Sequence, residues 1–364
     1  QNIKKFWEIE NVPYRMGNKM LSPEEKQALE LVDESVKYDG KRYEVGIPWK
    51  RHPDTLALSN YNEAERRLFQ IEKQLIKKPE IHQAYEETIQ QYLDKGYIKQ
   101  IENKKTGFYL AHFPVVRTDK DTTKTRIVFD VAAKKDSVSI NDLIYAGPKL
   151  QKDMFDVLLR FRRNVVAVVC DISEMYLQIK VQPEDCKYLL FLWRNMDQSK
   201  EPCCYQFQRL VFGLNSAPFE AQYIAQKNAE RHKEKFPLAY ETILQSTYMD
   251  DSMDSVANED DAIKLVKQLK QLWGKAGMYP RKWLSNSKNV LEEIDLQDRA
   301  KQIDLSLDDL PSVKTLGVMW SASSDEFSFC KTTLEENAVL TERKFLSKIS
   351  TLFHSFRVFD TIYS

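Results

Sequence analysis

The chain has no excess charge of either sign, since its 364 residues carry 54 basic and 54 acidic side chains. Any hold on a polyanion would therefore depend on local clusters such as Lys149 to Lys152 or Arg160-Phe161-Arg162-Arg163, because binding follows local charge rather than totals. No apolar run approaches the roughly 20 residues that span a bilayer, and no secretory leader is visible, so no membrane partner is expected. Cysteine is scarce: there are five, with Cys203 and Cys204 adjacent, and the five histidines are scattered. This excludes a paired disulfide framework and a zinc-ligand spacing, and it fits a reducing compartment. No internal repeat is present.

At 364 residues the chain is too long for one ordinary domain. The first 60 residues carry Pro13, Pro23, Pro48 and Pro53 among polar segments and read as an extended lead-in. Apolar spacing at Ala64, Leu68, Ile71 and Leu75 predicts a helix over 63–76, and a second follows over 81–93, closed by Gly96. Strands are expected over 109–117 and 125–130, joined by a polar turn. Residues 219–229 read as a helix entered through Pro218, and Ala262, Ile263, Leu265, Val266, Leu269, Leu272 and Trp273 share one face of another, ended by Gly277. Residues 315–320 and 326–329 read as a hairpin, and a helix begins at Thr341.

The most informative segment is Tyr248-Met249-Asp250-Asp251, two adjacent carboxylates at the end of a short apolar run. Unpaired carboxylates repel each other, so the pair needs a cation or ample solvent. Val165 to Cys170 is an apolar, β-branched run that reads as a buried strand and ends in Asp171. If the pair sits at a hairpin tip beside that strand end, three oxygen donors converge, a set suited to Mg2+. Glu174 and Asp254 are rival ligands, expected to face solvent or cap turns. The bland alternative is a solvated acidic turn.

These segments occur in the order found in reverse transcriptases. Tyr248-Met249-Asp250-Asp251 resembles their signature tetrad, Asp171 to Ile179 their first catalytic segment, and Leu210-Val211-Phe212-Gly213-Leu214-Asn215-Ser216-Ala217-Pro218 their nucleotide-pocket segment. Arg126 to Asp130, Ser139 to Leu143 with Gly147-Pro148, Phe191 to Arg194 and Arg281 to Asn286 resemble the polymerase of BEL/Pao LTR retrotransposons, as do Phe6 to Glu10 and Pro48-Trp49-Lys50. The resemblance implies that Asp171 and Asp250 bind two Mg2+ ions, with Mn2+ as an alternative, supported by Asp251. It implies that Tyr176 lies under the sugar of the incoming nucleotide, where a ring leaves no room for a 2'-hydroxyl. It further implies that Arg126 grips the phosphates, with Arg117 and Lys120 as the weaker candidates for a second basic group and solvated hairpin charges as the alternative. Phe212 and Gly213 would line the nucleotide pocket, Lys282 would serve the pyrophosphate, and Gly317, Val318 and Trp320 would grip the primer.

The implied fold is α+β, a right-hand polymerase with fingers (61–149) and an antiparallel palm sheet packed on helices (150–325, including the primer-grip hairpin). Residues 1–60 would lead in, and 326–364 would open a thumb that is absent or incomplete. The implied activity is RNA- and DNA-templated DNA synthesis, with a primed template, dNTPs and downstream Pol domains as partners. The setting would be intracellular, in the cytoplasm within a retrotransposon particle. The alternative is an inactive or host-retained derivative that binds nucleic acid. No segment resembles ribonuclease H or integrase.

Overall fold

A computed structural model of the chain describes residues 21–56, 59–116, 125–307, 309–316 and 318–328. Arg117, Lys120, Gly317 and the expected helix from Thr341 lie outside these residues.

The first described element corrects an expectation. Residues 23–35 of the supposed lead-in form helix α1 (Pro23–Ser35), begun by a reciprocal capping box in which Glu25 donates its backbone N–H to Ser22 Oγ at 3.2 Å and Ser22 its N–H to the Glu25 carboxylate at 2.8 Å. Pro23 occupies the first turn, where its missing N–H costs nothing. Strands β1 (Lys37–Tyr38) and β2 (Tyr43–Val45) follow, and β2 pairs in parallel with β7 (Lys180–Val181), far along the chain. The segment is therefore stitched to the body of the fold.

Helices α2 (Tyr61–Leu75) and α3 (Pro79–Asp94) cover a three-stranded sheet, ordered β3 (Ile98–Ile101), β9 (Cys203–Phe207), β8 (Leu190–Trp193), and a two-stranded ribbon of β4 (Ala111–Val116) and β5 (Thr125–Asp130). Along β5, Thr125, Ile127 and Phe129 are buried while Arg126 and Val128 are exposed, the period-two alternation of a strand with one wet face. Beneath the ribbon, His112 is fully buried between the Tyr85 hydroxyl and the Leu192 carbonyl oxygen, to which Nε2 lies 2.8 Å distant.

The central sheet is antiparallel, ordered β10 (Thr247–Tyr248), β11 (Asp251–Val256), β6 (Val166–Ile172), β12 (Pro280–Ser285). Strand β6 is paired on both sides, and every residue in it is buried except Asp171. Val165, expected to open the strand, lies outside it and is 74% exposed. Helices α4 (Met154–Phe161), α5 (Ala217–Arg231), α6 (Pro237–Gln245) and α7 (Glu259–Lys275) complete the region, and α4, α6 and α7 pack on β11. Helix α7 buries Ala262, Leu265, Val266, Leu269, Leu272 and Trp273, each larger side chain contributing about 1.5–3 kcal/mol. The expected hairpin is a three-stranded meander, β13 (Ser312–Thr315), β14 (Val318–Ser321) and β15 (Glu326–Ser328): Leu316, at φ +44°, ends the first strand where one continuous strand was expected. The architecture is α+β, with several antiparallel sheets packed against helices.

Candidate active site

The site is built where β6 ends beside the β10–β11 turn. Register pairs Tyr248 with Asp251, leaving Met249 and Asp250 as a two-residue turn, with Met249 at φ +56°. Left-handed backbone at a non-glycine residue costs energy, so the surroundings must impose it. Two hydrogen bonds do so: the buried Gln222 on α5 donates Nε2 to the Met249 carbonyl at 2.8 Å, and the Ile172 N–H donates to the Asp250 carbonyl at 2.7 Å. The turn is thereby fixed to the end of β6.

Asp171 is the register partner of Asp251 on one side and of Arg281 on the other, which places the three side chains in one row across one face. A register shift between Arg281 and Leu284, with Lys282 at φ +54°, lets Lys282 point back along the same edge, where its Nζ lies 3.0 Å from Asp171 Oδ2. Asp250 is raised above the usual carboxylate range, first by burial and then by the charge of Asp171, while Lys282 and Arg126 oppose the shift. The two acids therefore sense each other, the arrangement that a bound cation relieves.

Oxygen donors of this kind have the chemistry of a Mg2+ site. Among the described residues, however, no three His, Cys, Asp or Glu side chains gather closely enough to hold a metal ion. The Lys282 ammonium is the cation that Asp171 holds here. The residues fit such an ion in donor type and in their shared need for positive charge.

Tyr176 sits in a single 3-10 turn, Met175–Gln178, and its ring centroid lies 4.3 Å from that of Phe212. Burial, followed by the charge of Asp250, pushes its hydroxyl up to about 12, so it stays neutral beside the acids. Phe212 leaves half its surface open, whereas Tyr176 is buried. Gly213 adopts φ +108°, and a Cβ there would stand 3.0 Å from both the Phe129 carbonyl oxygen and Val131. Only glycine fits this crossing of the Phe212 loop over the end of β5. Arg126 projects from the exposed face of β5, close enough for its charge to act on Asp250.

The remaining expected residues fall elsewhere. Val318 and Trp320 are buried; the Trp320 indole donates to Asp325 Oδ1 at 2.9 Å and its ring meets Phe161 edge-on at 4.9 Å. Any grip at those positions would pass through backbone. Asp254 departs from the expectation that it faces solvent or caps a turn, whereas Glu174 does stand at the N-cap position of the Met175–Gln178 turn, though its side chain makes no cap hydrogen bond. Asp254 is buried and accepts the Thr242 hydroxyl at 2.7 Å and the Ser255 N–H at 2.9 Å, because β11 is covered by helices. Glu174 is half-buried and accepts from Lys95 and from the Tyr97 hydroxyl. Neither is offered to the Asp171 edge.

The positioning contacts of Gln222, Asn141 and Asn215 escape sequence reasoning, although the last two lie in segments already singled out. Their partners lie 27 to 74 residues away, so no local pattern marks them.

No curated protein matches the chain. Residues 129–283, which include Asp171, Tyr176, Phe212, Gly213, Asp250, Asp251 and Lys282 but not Arg126 or the 312–328 meander, match the family model of reverse transcriptase (RNA-dependent DNA polymerase). A reverse-transcriptase domain, with the template binding and metal-dependent nucleotidyl transfer that such domains carry in general, thus occupies this part of the chain.

Proposed function

We propose that the chain is an RNA-directed DNA polymerase of the BEL/Pao retrotransposon type, extending a primer on RNA or DNA with dNTPs. The observation that carries this reading is the convergence at one sheet edge of Asp171, the Met249–Asp250 turn and Asp251, with Tyr176 and Arg126 within electrostatic reach of Asp250. Asp171 and Asp250, supported by Asp251, would hold two Mg2+ ions, or Mn2+, which when bound activate the primer 3'-hydroxyl and stabilise the leaving pyrophosphate. Arg126 orients the triphosphate, whose charge its fork matches. Tyr176, braced by Phe212, blocks a 2'-hydroxyl. Lys282 leaves Asp171 to meet the pyrophosphate. On this reading residues 61–149 are fingers and 150–325 the palm. Gly317, Val318 and Trp320 would steady the primer, with Arg117 or Lys120 as a second phosphate contact. The enzyme would work inside the cell, in a retrotransposon particle.

The test is primer extension on a defined RNA template with dNTPs and Mg2+, comparing the wild type with Asp250→Asn. Extension by the wild type that falls at least about 1,000-fold in the variant is expected, since an isosteric amide cannot supply the charge. Equal extension by both, or none by folded wild type supplied with its downstream domains, sinks the reading.

A further inference from the structure

The segment from Asn141 to Leu150 runs along the Gly213 loop and helix α5 and touches them at three successive points. At the first, Asn141 and Asn215 clasp each other: Asn141 Nδ2 donates to the Gly213 carbonyl at 2.9 Å, the Asn215 N–H donates to Asn141 Oδ1 at 3.0 Å, and Asn215 Nδ2 donates to the Asn141 carbonyl at 3.1 Å. At the second, Gly147 at φ +76° lies so close to Phe219 that a Cβ would stand 2.2 Å from its ring. At the third, Gln226 Nε2 donates to the Leu150 carbonyl at 3.0 Å. The same helix carries Gln222, which holds the Met249 carbonyl. One strap thus anchors the element that supports both the nucleotide loop and the catalytic turn.

The clasp has a specific target. Asn141 uses its side-chain donor and acceptor on the residues either side of Leu214, and the loop it holds presents Phe212 to Tyr176 at 4.3 Å. On its other side Gly213 runs close to the end of β5, where a Cβ would stand 3.0 Å from the Phe129 carbonyl oxygen and from Val131. With the loop held close to β5 on one side and clasped by three hydrogen bonds on the other, the place of the Phe212 ring depends on the clasp.

Resting on the polymerase reading above, we propose that Asn141 is a positioning residue for sugar selection: through Gly213 and Asn215 it holds Phe212 against Tyr176, and so sets how tightly the pocket closes on a deoxyribose. Its hydrogen bonds run to Gly213 and Asn215 and to none of Asp171, Asp250 and Asp251. An aspartate at this position keeps the acceptor for the Asn215 N–H but cannot donate to the Gly213 carbonyl, so Asn141→Asp should fall between wild type and Asn141→Ala.

The experiment uses the full chain on an oligo(dG)-primed poly(rC) template and compares dGTP with GTP for wild type, Asn141→Ala, Asn141→Asp, Asn215→Ala and the Asn141→Ala/Asn215→Ala double variant. Melting temperatures within a few degrees of wild type certify folding. Expected for Asn141→Ala is a roughly 10-fold rise in KM for dGTP with kcat within about 3-fold. Discrimination against GTP should fall roughly 10-fold, and the double variant should be little worse than either single one. Unchanged KM and unchanged discrimination in folded Asn141→Ala would overturn the proposal, as would strict additivity in the double variant. Equilibrium binding of dGTP to the complex with a dideoxy-terminated primer separates the two levels. Wild type that binds dGTP alongside an Asn141→Ala variant of equal affinity removes the clasp and leaves the polymerase reading, whereas folded wild type that neither binds nor incorporates dGTP removes both.

Discussion

The central sheet and the β4–β5 ribbon both bring charge to the same site, but they hold it differently. In the sheet, Asp171 ends a strand paired on both sides and buried along its length, and the Asp250 turn is tied to it through backbone and to α5 through Gln222. In the ribbon, Arg126 stands on a two-stranded element whose outer face exposes Phe113, Val116 and Val128. Carboxylates that repel one another must be held by rigid neighbours, whereas a cation that grips an incoming phosphate can ride on an element free to approach it. On the proposed reading, the difference gives chemistry to the sheet and substrate capture to the ribbon.

Removing charge from each region sharpens this division. Asp171→Asn should depress kcat by about 1,000-fold or more with little change in melting temperature, since its surroundings lose a repulsion. Arg126→Ala should act on KM for dNTP instead, raising it roughly 10- to 100-fold, with Arg126→Lys recovering part of the loss because an ammonium supplies the charge without the fork. Steady-state kinetics on one primed template reads both. A kcat effect from Arg126→Ala as large as that of Asp171→Asn would erase the distinction.

The two regions should also respond oppositely to pH. Under the ribbon, burial lowers His112 to about 4 from an ordinary value of 6.5. The unfolded chain takes up a proton below 6.5 that the folded one refuses until about 4, so this contribution is full above pH 6.5 and is lost as pH falls through that window, about 3 kcal/mol in all. On α5, burial raises Glu220 to about 8 from 4.5, a shift that the neighbouring Ser216 hydroxyl opposes only in part. The folded state keeps a proton that the unfolded chain releases above 4.5, so that stability is full below pH 4.5 and drains away as pH rises to 8. Between pH 6.5 and 8 Glu220 should therefore cost about 2 kcal/mol that Glu220→Gln does not lose. Urea unfolding at pH 5, 6.5 and 8 measures both slopes, and identical slopes for wild type and Glu220→Gln would refute the assignment.

How much was legible in the sequence divides along the same line. Strand β6, the carboxylate turn and the amphipathic α7 could be read because each is a local pattern of apolar spacing ending in a charge or a glycine. Helix α1 was obscured by prolines, although Ser22, Pro23 and Glu25 are a helix start when taken together. Asp254 looked like a surface acid because its cover comes from α4, α6 and α7, and the Asn141–Asn215 clasp joins loops 74 residues apart. Tertiary partners decide such residues, and no local period records them.

The smallest effect expected is at Lys282, where the sheet borrows a cation. Its ammonium sits 3.0 Å from Asp171 Oδ2 on a bulge that exposes most of the lysine side chain. A pair this open is worth at most about 1 kcal/mol, so a divalent ion competing for Asp171 should displace it at little cost. Lys282→Gln should then tighten Mn2+ binding about 3- to 5-fold, read by electron paramagnetic resonance without nucleotide, while Lys282→Arg leaves it near wild type. Weaker binding in Lys282→Gln would mean that the lysine orders the carboxylates rather than standing in for the ion, and the charge would then belong to the rigid frame of the sheet and not to what the sheet waits to receive.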